Sequence, residues 1–547
     1  MLCSLLLKPR EADSRSLLAR MERGWNWGFD RLVAAYRWCL EFTEHHRWAA
    51  VLVLFAVIGM FVHSLQMAGT LGSSAFAEID MARVYLRLEF PTRYSLDETV
   101  GRVLEAESRM RDLPELKHIL TTVGKVEAIL GQSSEGVYLA QILMKFSERN
   151  ERELTIDDIQ DMVRSRIASF PGAIVSVSQP SLIGGQSTPV ELEIAGSDLG
   201  ELDRLALKSL EFANEIPGFS DPDTTVRPGK PEIRIEPRRA VLSDLNAPAV
   251  GLGLALRANL EGIEAGTFKK DARNYDIVVK LEEKEGKDQV ERFLFPGASN
   301  APVLLASFGK VSEQEMPIQI TRKNKRRITK LTSQLGRELP LGTAVQKLSA
   351  AIDEKGNLPP GYDYTFAGEY ELMSEAQADL GEAGITSIIL VILTLAAILE
   401  SFRQPALILV TVPLALIGTF WALALGGESI SIFVIMGIVM MIGIVVNNAI
   451  LIMDQFNIHV AEGIPRHKAM ITASCERFRP IVMITLAAVL GMLPLALGRG
   501  IGAEMRNGVG VASAGGILVS GVLTLIVVPI LYDLFTKGRR PAAEAGE

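Results

Sequence analysis

Apolar runs long enough to cross a bilayer occur at six places in the 547-residue chain. A transmembrane helix needs about 20 apolar residues to span a hydrocarbon layer of ~30 Å. Runs near that length, without Asp, Glu, Lys or Arg, lie at 48–66, 383–399, 404–427, 429–453, 480–498 and 507–532. The pattern predicts a polytopic α-helical membrane protein with six transmembrane helices.

The polar segment between the first two runs alternates between strand and helix patterns. Val84, Leu86 and Leu88 take every second position, as in a half-buried strand. Ser95 and Glu98 have the spacing of a capping box that begins a helix. The segment 83–179 thus follows the order β-α-β-β-α-β of a ferredoxin-like unit. A second such unit is predicted from 190–236, including a strand at 232–236, together with 318–366.

Lys and Arg residues near the apolar runs indicate the orientation. Basic residues are frequent before the first run, between the fourth and fifth, and after the sixth. Six crossings place all three regions on one side, which the positive-inside rule makes cytoplasmic, although Arg499 and Arg506 are a weaker counter-signal. Tyr36 and Leu40 belong to a stripe with helical spacing that predicts an amphipathic helix along the inner membrane surface. A helix packed on protein is the alternative.

Composition and charge exclude several other functions. The net charge of −8 comes without a basic tract, so no nucleic-acid partner is expected. Cys3, Cys39 and Cys475 fall on the predicted cytoplasmic side, and no metal-ligand spacing is present, so neither metal nor cofactor is predicted. No nucleophile–base pair or phosphate loop occurs in the outer segment, which argues against an enzyme.

Several stretches carry a resemblance to a known transporter family. They are LCSLLLKP at 2–9, ILESFRQPALILVTVPLALIG at 398–418, GIVVNNAILIMDQFN at 443–457, RFRPIVMITLAAVLGMLPLAL at 477–497 and GGILVSGVLTLIVVPILYDLF at 515–535. These stretches resemble helices six and eight to twelve of resistance–nodulation–division (RND) efflux permeases of the acriflavine-resistance, multidrug type. The chain looks like the C-terminal half of such a permease.

The resemblance implies a domain organisation with the outer region in the periplasm. It gives a cytoplasmic leader (1–47), a transmembrane helix (48–66), a ferredoxin-like porter subdomain (67–185), a second porter subdomain (186–236 plus 316–382), a docking-like insertion (237–315), five transmembrane helices (383–536) and a cytoplasmic tail (537–547). The fold class is then a six-helix membrane protein with a large α+β periplasmic region.

The same resemblance implies function and partners. It implies a trimeric, proton-driven exporter of drugs or other amphipathic molecules in the bacterial inner membrane. The expected partners are an N-terminal half on a separate chain, a periplasmic adaptor, an outer-membrane channel and the lipid bilayer. The aspartates that titrate in the family lie on its fourth helix, which this chain lacks, so proton coupling would need the other half.

Two adjacent amides stand inside the fourth apolar run. Asn447 matches a position that holds lysine in much of the family, and an amide can bond with a carboxylate without supplying charge. We expect Asn447, Asn448, Arg477 and Thr485 to form a proton relay, or else helix contacts. Alternatives for the whole chain are a non-transporting RND-like assembly or protein-export accessory factor, and an inactive truncated fragment.

Overall fold

The computed structural model describes residues 17–76, 79–127, 133–181, 187–244, 249–271, 273–280, 290–296, 302–336, 339–500 and 502–536. The stretch 2–9, Cys3 and the predicted tail 537–547 lie outside these residues.

The first two helices are the amphipathic leader helix and the first membrane helix. They are α1 (Leu17–His45) and α2 (Arg47–Thr70). In α1, Tyr36 and Leu40 are buried against the membrane helices, and the Tyr36 hydroxyl donates to the carbonyl of Leu525 at 2.5 Å. Trp27 and Trp38 face outward from the same helix. The stripe that was predicted to face lipid therefore packs on protein, and other aromatic residues form the exposed face.

The first outer unit follows α2 and has the predicted element order. Its elements are β1 (Arg83–Glu89), α3 (Leu96–Met110), β2 (Leu116–Glu127), β3 (Ser133–Phe146), a short 3₁₀ turn (Arg149–Glu151), α4 (Ile156–Ile167) and β4 (Ile174–Ser178). The sheet order is β2-β3-β1-β4 with every pair antiparallel. The predicted capping box begins α3, because the Ser95 hydroxyl accepts from the Glu98 amide and the Glu98 carboxylate accepts from the Ser95 amide.

The second outer unit is split by an insertion. In chain order the elements are β5 (Val190–Gly196), α5 (Leu199–Glu215), β6 (Phe219–Thr224), β7 (Lys230–Pro237), α6 (Arg239–Asp244), α7 (Ala249–Leu260), β8 (Ile263–Lys270), β9 (Arg273–Val279), β10 (Leu294–Pro296), β11 (Pro302–Leu304), α8 (Leu305–Phe308), β12 (Gly309–Met316), β13 (Thr321–Lys323), β14 (Arg326–Leu335), α9 (Leu341–Lys355) and β15 (Asp363–Ala367).

The strand predicted at 232–236 belongs to the insertion and not to the second sheet. That sheet has the order β13-β14-β5-β15, with β6 paired to β14. The predicted strand lies in β7, which pairs antiparallel with β12 in a separate two-stranded ladder. Sequence reasoning missed β6 because its residues, FSDPDT, include a proline and two aspartates, which are rare in strands.

The remaining helices complete the membrane region. They are α10 (Glu369–Leu399), α11 (Arg403–Ile408), α12 (Thr411–Gly426), α13 (Ile432–Ala461), α14 (Arg466–Ala496) and α15 (Ala503–Thr536). With α2, and with α11 and α12 counted as one span, six helical segments of the described chain are long and apolar enough to cross a membrane. Several extend beyond the apolar runs, and α13 continues two turns past Asp454.

Small residues allow α15 to lie close to its neighbours. A Cβ built on Gly516 would lie 2.6 Å from the Thr419 hydroxyl, and one on Gly515 would lie 2.8 Å from the carbonyl oxygen of Gly418. Side chains larger than hydrogen do not fit at these two positions. The sequence spacing Ala512-x-x-x-Gly516-x-x-x-Ser520 therefore marks close helix packing.

Candidate functional site

The two adjacent amides of α13 lie in different environments. Neighbouring residues of a helix point about 100° apart, and here that rotation separates the inside of the helix set from its outside. Asn448 is buried, with 4% of its surface exposed, whereas Asn447 is exposed. Asn448 therefore faces the interior of the helix set, and Asn447 lies on its outside.

Asn447 belongs to a continuous exposed stripe on α13. Met436, Met440, Ile444, Asn447 and Asp454 are all exposed. Their spacings of four, four, three and seven residues place them on one face of the helix. We call these five residues the open face of α13. It carries an amide near the middle of an apolar helix, where a polar group without a partner costs free energy in lipid.

Thr485 lies inside the helix set and not on the open face. Its side chain is buried, and a Cβ built on Gly521 of α15 would lie 2.7 Å from its Oγ1 atom. Thr485 thus packs in the contact between α14 and α15. This position favours the helix-contact interpretation of Thr485 over a role beside Asn447.

Arg477 lies near the end of the membrane region that the sequence predicts to be cytoplasmic. Its Nη2 donates to Gln455 Oε1 at 2.7 Å. The Gln455 amide nitrogen donates to Glu476 Oε2 at 2.9 Å. His459 lies between two carboxylates, with Nε2 2.9 Å from Glu476 and Nδ1 2.9 Å from Glu462. Arg477 is therefore part of a polar cluster that joins α13 to α14.

Sequence reasoning missed this cluster apart from Arg477. The apolar run ends at Met453, and α13 continues two helical turns beyond it to Ala461. The available signal was the spacing of Gln455, His459 and Glu462, which share one helix face. The structure therefore divides the four predicted residues among three environments. Asn447 lies on the open face, Asn448 and Thr485 lie inside the helix set, and Arg477 belongs to the polar cluster.

A charged cleft lies between the two outer units. Its lining includes Glu89 from the first unit, and Asp221 and Asp223 from β6 of the second. Arg227, which follows β6, donates through Nε and Nη2 to the two oxygens of Glu89 at 2.5 and 3.0 Å. The same guanidinium donates to Asp223 at 2.6 and 3.2 Å. One arginine therefore binds carboxylates of both units.

The charges around Arg227 stabilise its cationic form. Burial acts to lower the pKa of Arg227, but hydrogen bonds and attraction from Glu89 and Asp223 outweigh burial and raise the pKa above its ordinary value. A second pair crosses the cleft in the opposite direction, because Arg164 of α4 donates to Asp221 Oδ2 at 3.1 Å. The cleft is thus closed by arginine–carboxylate pairs contributed reciprocally by the two units.

Comparison with known proteins assigns the family. The model of the AcrB/AcrD/AcrF family matches residues 1–536. The chain belongs to that family of RND permeases. Six segments of the described chain are long and apolar enough to cross a membrane, and the expected resemblance is confirmed at the level of the family. The fold agrees, since a solved heavy metal efflux pump superposes with a TM-score of 0.79 at 22% identity, covering 93% of this chain and 53% of that one.

Two similar curated proteins have names that refer to cation efflux or to metal resistance. The cation efflux system protein CzcA of Alcaligenes sp. (strain CT14) is 27% identical over 517 residues, which are 91% of this chain and 48% of the relative. The nickel and cobalt resistance protein CnrA of Cupriavidus metallidurans is 28% identical over 469 residues, 82% of this chain and 43% of the relative. The chain spans about half the length of these relatives. The multidrug subtype expected from the sequence finds no support in them.

Proposed function

We propose that this chain is one half of an RND efflux transporter that exports divalent metal cations. The observation that carries the cargo class is the similarity to relatives named for cation efflux and for nickel and cobalt resistance. In the cleft between the outer units, Glu89, Asp221 and Asp223 are paired with Arg227 and Arg164. Their carboxylate oxygens would therefore bind a cation only when these pairs part.

The outer units of this transporter would be its porter subdomains. The strand order β2-β3-β1-β4 with antiparallel pairing supports the ferredoxin-like assignment of the first unit. The second unit repeats the order β-α-β on either side of its insertion. Cargo would enter the cleft between the units, and the insertion of 230–316 would serve in docking. A trimer, an adaptor and an outer-membrane channel are proposed by analogy with the family.

The membrane region supports the second part of the proposal, a complementary half. The open face of α13 holds Asn447 and Asp454 where no helix of this chain covers them among the described residues. A helix from the complementary half would cover this face, and acidic groups on that helix would bond with Asn447. Proton coupling would then depend on both halves, because an ionisable group within a membrane is the usual site for coupling.

The experiment is a resistance assay in a bacterial strain that lacks its own metal and drug pumps. The strain receives this chain, a complementary six-helix half, or both, and growth is measured against zinc, cobalt, cadmium and nickel salts and against amphipathic drugs. We expect metal tolerance to rise only when both halves are present. Tolerance to drugs alone would establish the drug exporter instead. No change with well-accumulated halves would favour an assembly factor or an inactive fragment.

A further inference from the structure

The cleft between the outer units is closed by two partly buried ion pairs that run in opposite directions. Arg227 of the second unit reaches Glu89 of the first, and Arg164 of the first unit reaches Asp221 of the second. The Arg227 and Glu89 side chains keep only 14% and 8% of their surface exposed. Each pair therefore joins groups that have lost most of their contact with water.

The hydrogen bonds of these groups tie the pairs to the backbones of both units. The Arg227 guanidinium also donates to the carbonyls of Thr224 and Val226. Asp221 accepts from the backbone amide of Val177 at 3.2 Å, in addition to Arg164. Arg227 is thus held in place on its own unit, whereas Asp221 bonds with two groups of the first unit, so both pairs must break when the cleft widens.

Separating the units would break the contacts that Glu89 and Asp221 make across the cleft. Glu89 would keep Arg87 of its own strand, 3.2 Å away, and Arg227 would keep Asp223. Asp221 would lose both the Arg164 guanidinium and the Val177 amide, which belong to the first unit. Partly buried ion pairs are screened less than exposed ones, so these contacts favour the closed cleft.

We propose that Arg227 and Arg164 form a double latch that holds the cleft closed and sets how readily cargo enters it. The proposal rests on the proposed transport function, in which the cleft opens and closes during each cycle. Both arginines are positioning residues, because they act through Glu89 and Asp221 and need not touch the cargo. Weakening either pair shifts the cleft toward its open form.

The test is the labelling rate of a cysteine placed in the cleft. Ser176 lines the cleft, so Ser176→Cys is introduced into the full chain, in membranes with its complementary half, and is labelled with a membrane-impermeant maleimide. We expect Arg227→Gln to raise the rate about tenfold and Arg164→Gln to raise it less, since that pair is more exposed. Arg227→Lys keeps the positive charge without the two-pronged bond to Glu89, so it should raise the rate less than Arg227→Gln.

Two controls separate a latch from a general loss of structure. Arg234→Gln removes an exposed ion pair with Glu236 outside the cleft and should leave the rate unchanged. A cysteine at the exposed Leu104 should label at the same rate in every variant. Equal labelling of Ser176→Cys in the unaltered chain and in Arg227→Gln would overturn the latch. Labelling needs no cargo. Faster labelling of Arg227→Gln, together with no metal efflux by the unaltered chain and its complementary half, would retain the latch and overturn the proposed function.

Discussion

The outer cleft and the open face of α13 both carry polar groups away from bulk water, but only the cleft satisfies them within this chain. In the cleft, Glu89 and Arg227 come from different units and bond with each other. On α13, Asn447 is exposed at the surface of the described helices. The difference shows where this chain matches its own polar groups. The outer units are electrostatically matched, whereas the membrane region leaves an amide exposed on one face of α13.

Two glycines of the membrane region, one inside the helix set and one on its outward side, should differ most in their response to substitution. Gly516 lies where α15 meets α12 and α13, and Gly443 lies on the outward side of α13, where a Cβ would meet open space. We expect Gly516→Leu to destabilise the helix set by about 3 kcal/mol and to reduce accumulation in membranes. Normal accumulation and thermal stability of Gly516→Leu in detergent would show that the close packing is not essential.

Gly443→Leu sharpens the comparison because its effect depends on the complementary half. The variant chain alone should accumulate and unfold like the unaltered chain, since nothing lies within 4 Å of the added Cβ. In the complete transporter the larger side chain should clash with the covering helix and reduce metal efflux by about tenfold. The measurement is metal tolerance beside accumulation of both halves. Full tolerance would indicate that lipid covers this side of α13.

Asn447→Ala should produce a smaller loss. Hydrogen bonds between membrane helices contribute about 1 kcal/mol, so we expect efflux to fall about fivefold with little change in accumulation. Ile444→Ala is the matched control, because it shortens an apolar side chain of the same face one turn away. If Asn447→Ala retains full efflux, or if both variants lose it equally, Asn447 has no specific polar partner.

The smallest expected effect concerns a charge that is satisfied wholly within the outer region. Glu193 lies 2.9 Å from Lys323 and 3.0 Å from Lys330. Burial acts to raise the pKa of Glu193, but the bonds with these lysines outweigh burial and hold it below the ordinary value of 4.5. The folded chain therefore favours the carboxylate. The resulting stability is present above pH 4.5 and is lost as pH falls below that value.

This pH dependence is measurable by hydrogen exchange of the β5 and β14 amides. Protection should fall as the pH is lowered through this range, after correction for intrinsic exchange, and the fall should be smaller in Glu193→Gln. Protection of α13 amides near Asn447 should not change over the same range. An equal response in Glu193→Gln would assign the dependence to another group.

Local sequence patterns predicted most helices and strands, but they could not predict which strands and side chains pair across long sequence distances. Six apolar runs became six membrane-length segments, and the capping box at Ser95 began a helix as expected. The strand β6 was missed because pairing with β14 overrides the poor strand propensity of its proline and aspartates. The bond between Arg227 and Glu89 joins residues 138 positions apart, and no local spacing marks it.

The candidate site shows the same division. The sequence identified Asn447 and Asn448 as unusual, but only the rotation of α13 against its neighbours decides which of them is covered. It also grouped Thr485 with them, whereas the packing of α14 on α15 turns Thr485 toward Gly521. Polar residues inside a membrane helix are recognisable from sequence, and their partners depend on how helices pack.

The most direct test of a complementary half that covers the open face of α13 is photo-crosslinking from position 447 in membranes of the native host. A benzophenone amino acid replaces Asn447, and the same group at Leu390, an exposed residue of α10, serves as the control. We expect irradiation to join position 447 to a second polypeptide and to give a species heavier than the 59.6 kDa chain. Crosslinking from position 390 to a second polypeptide should be much weaker. Crosslinking of position 447 to lipid alone, as at Leu390, would contradict the proposal of a complementary half.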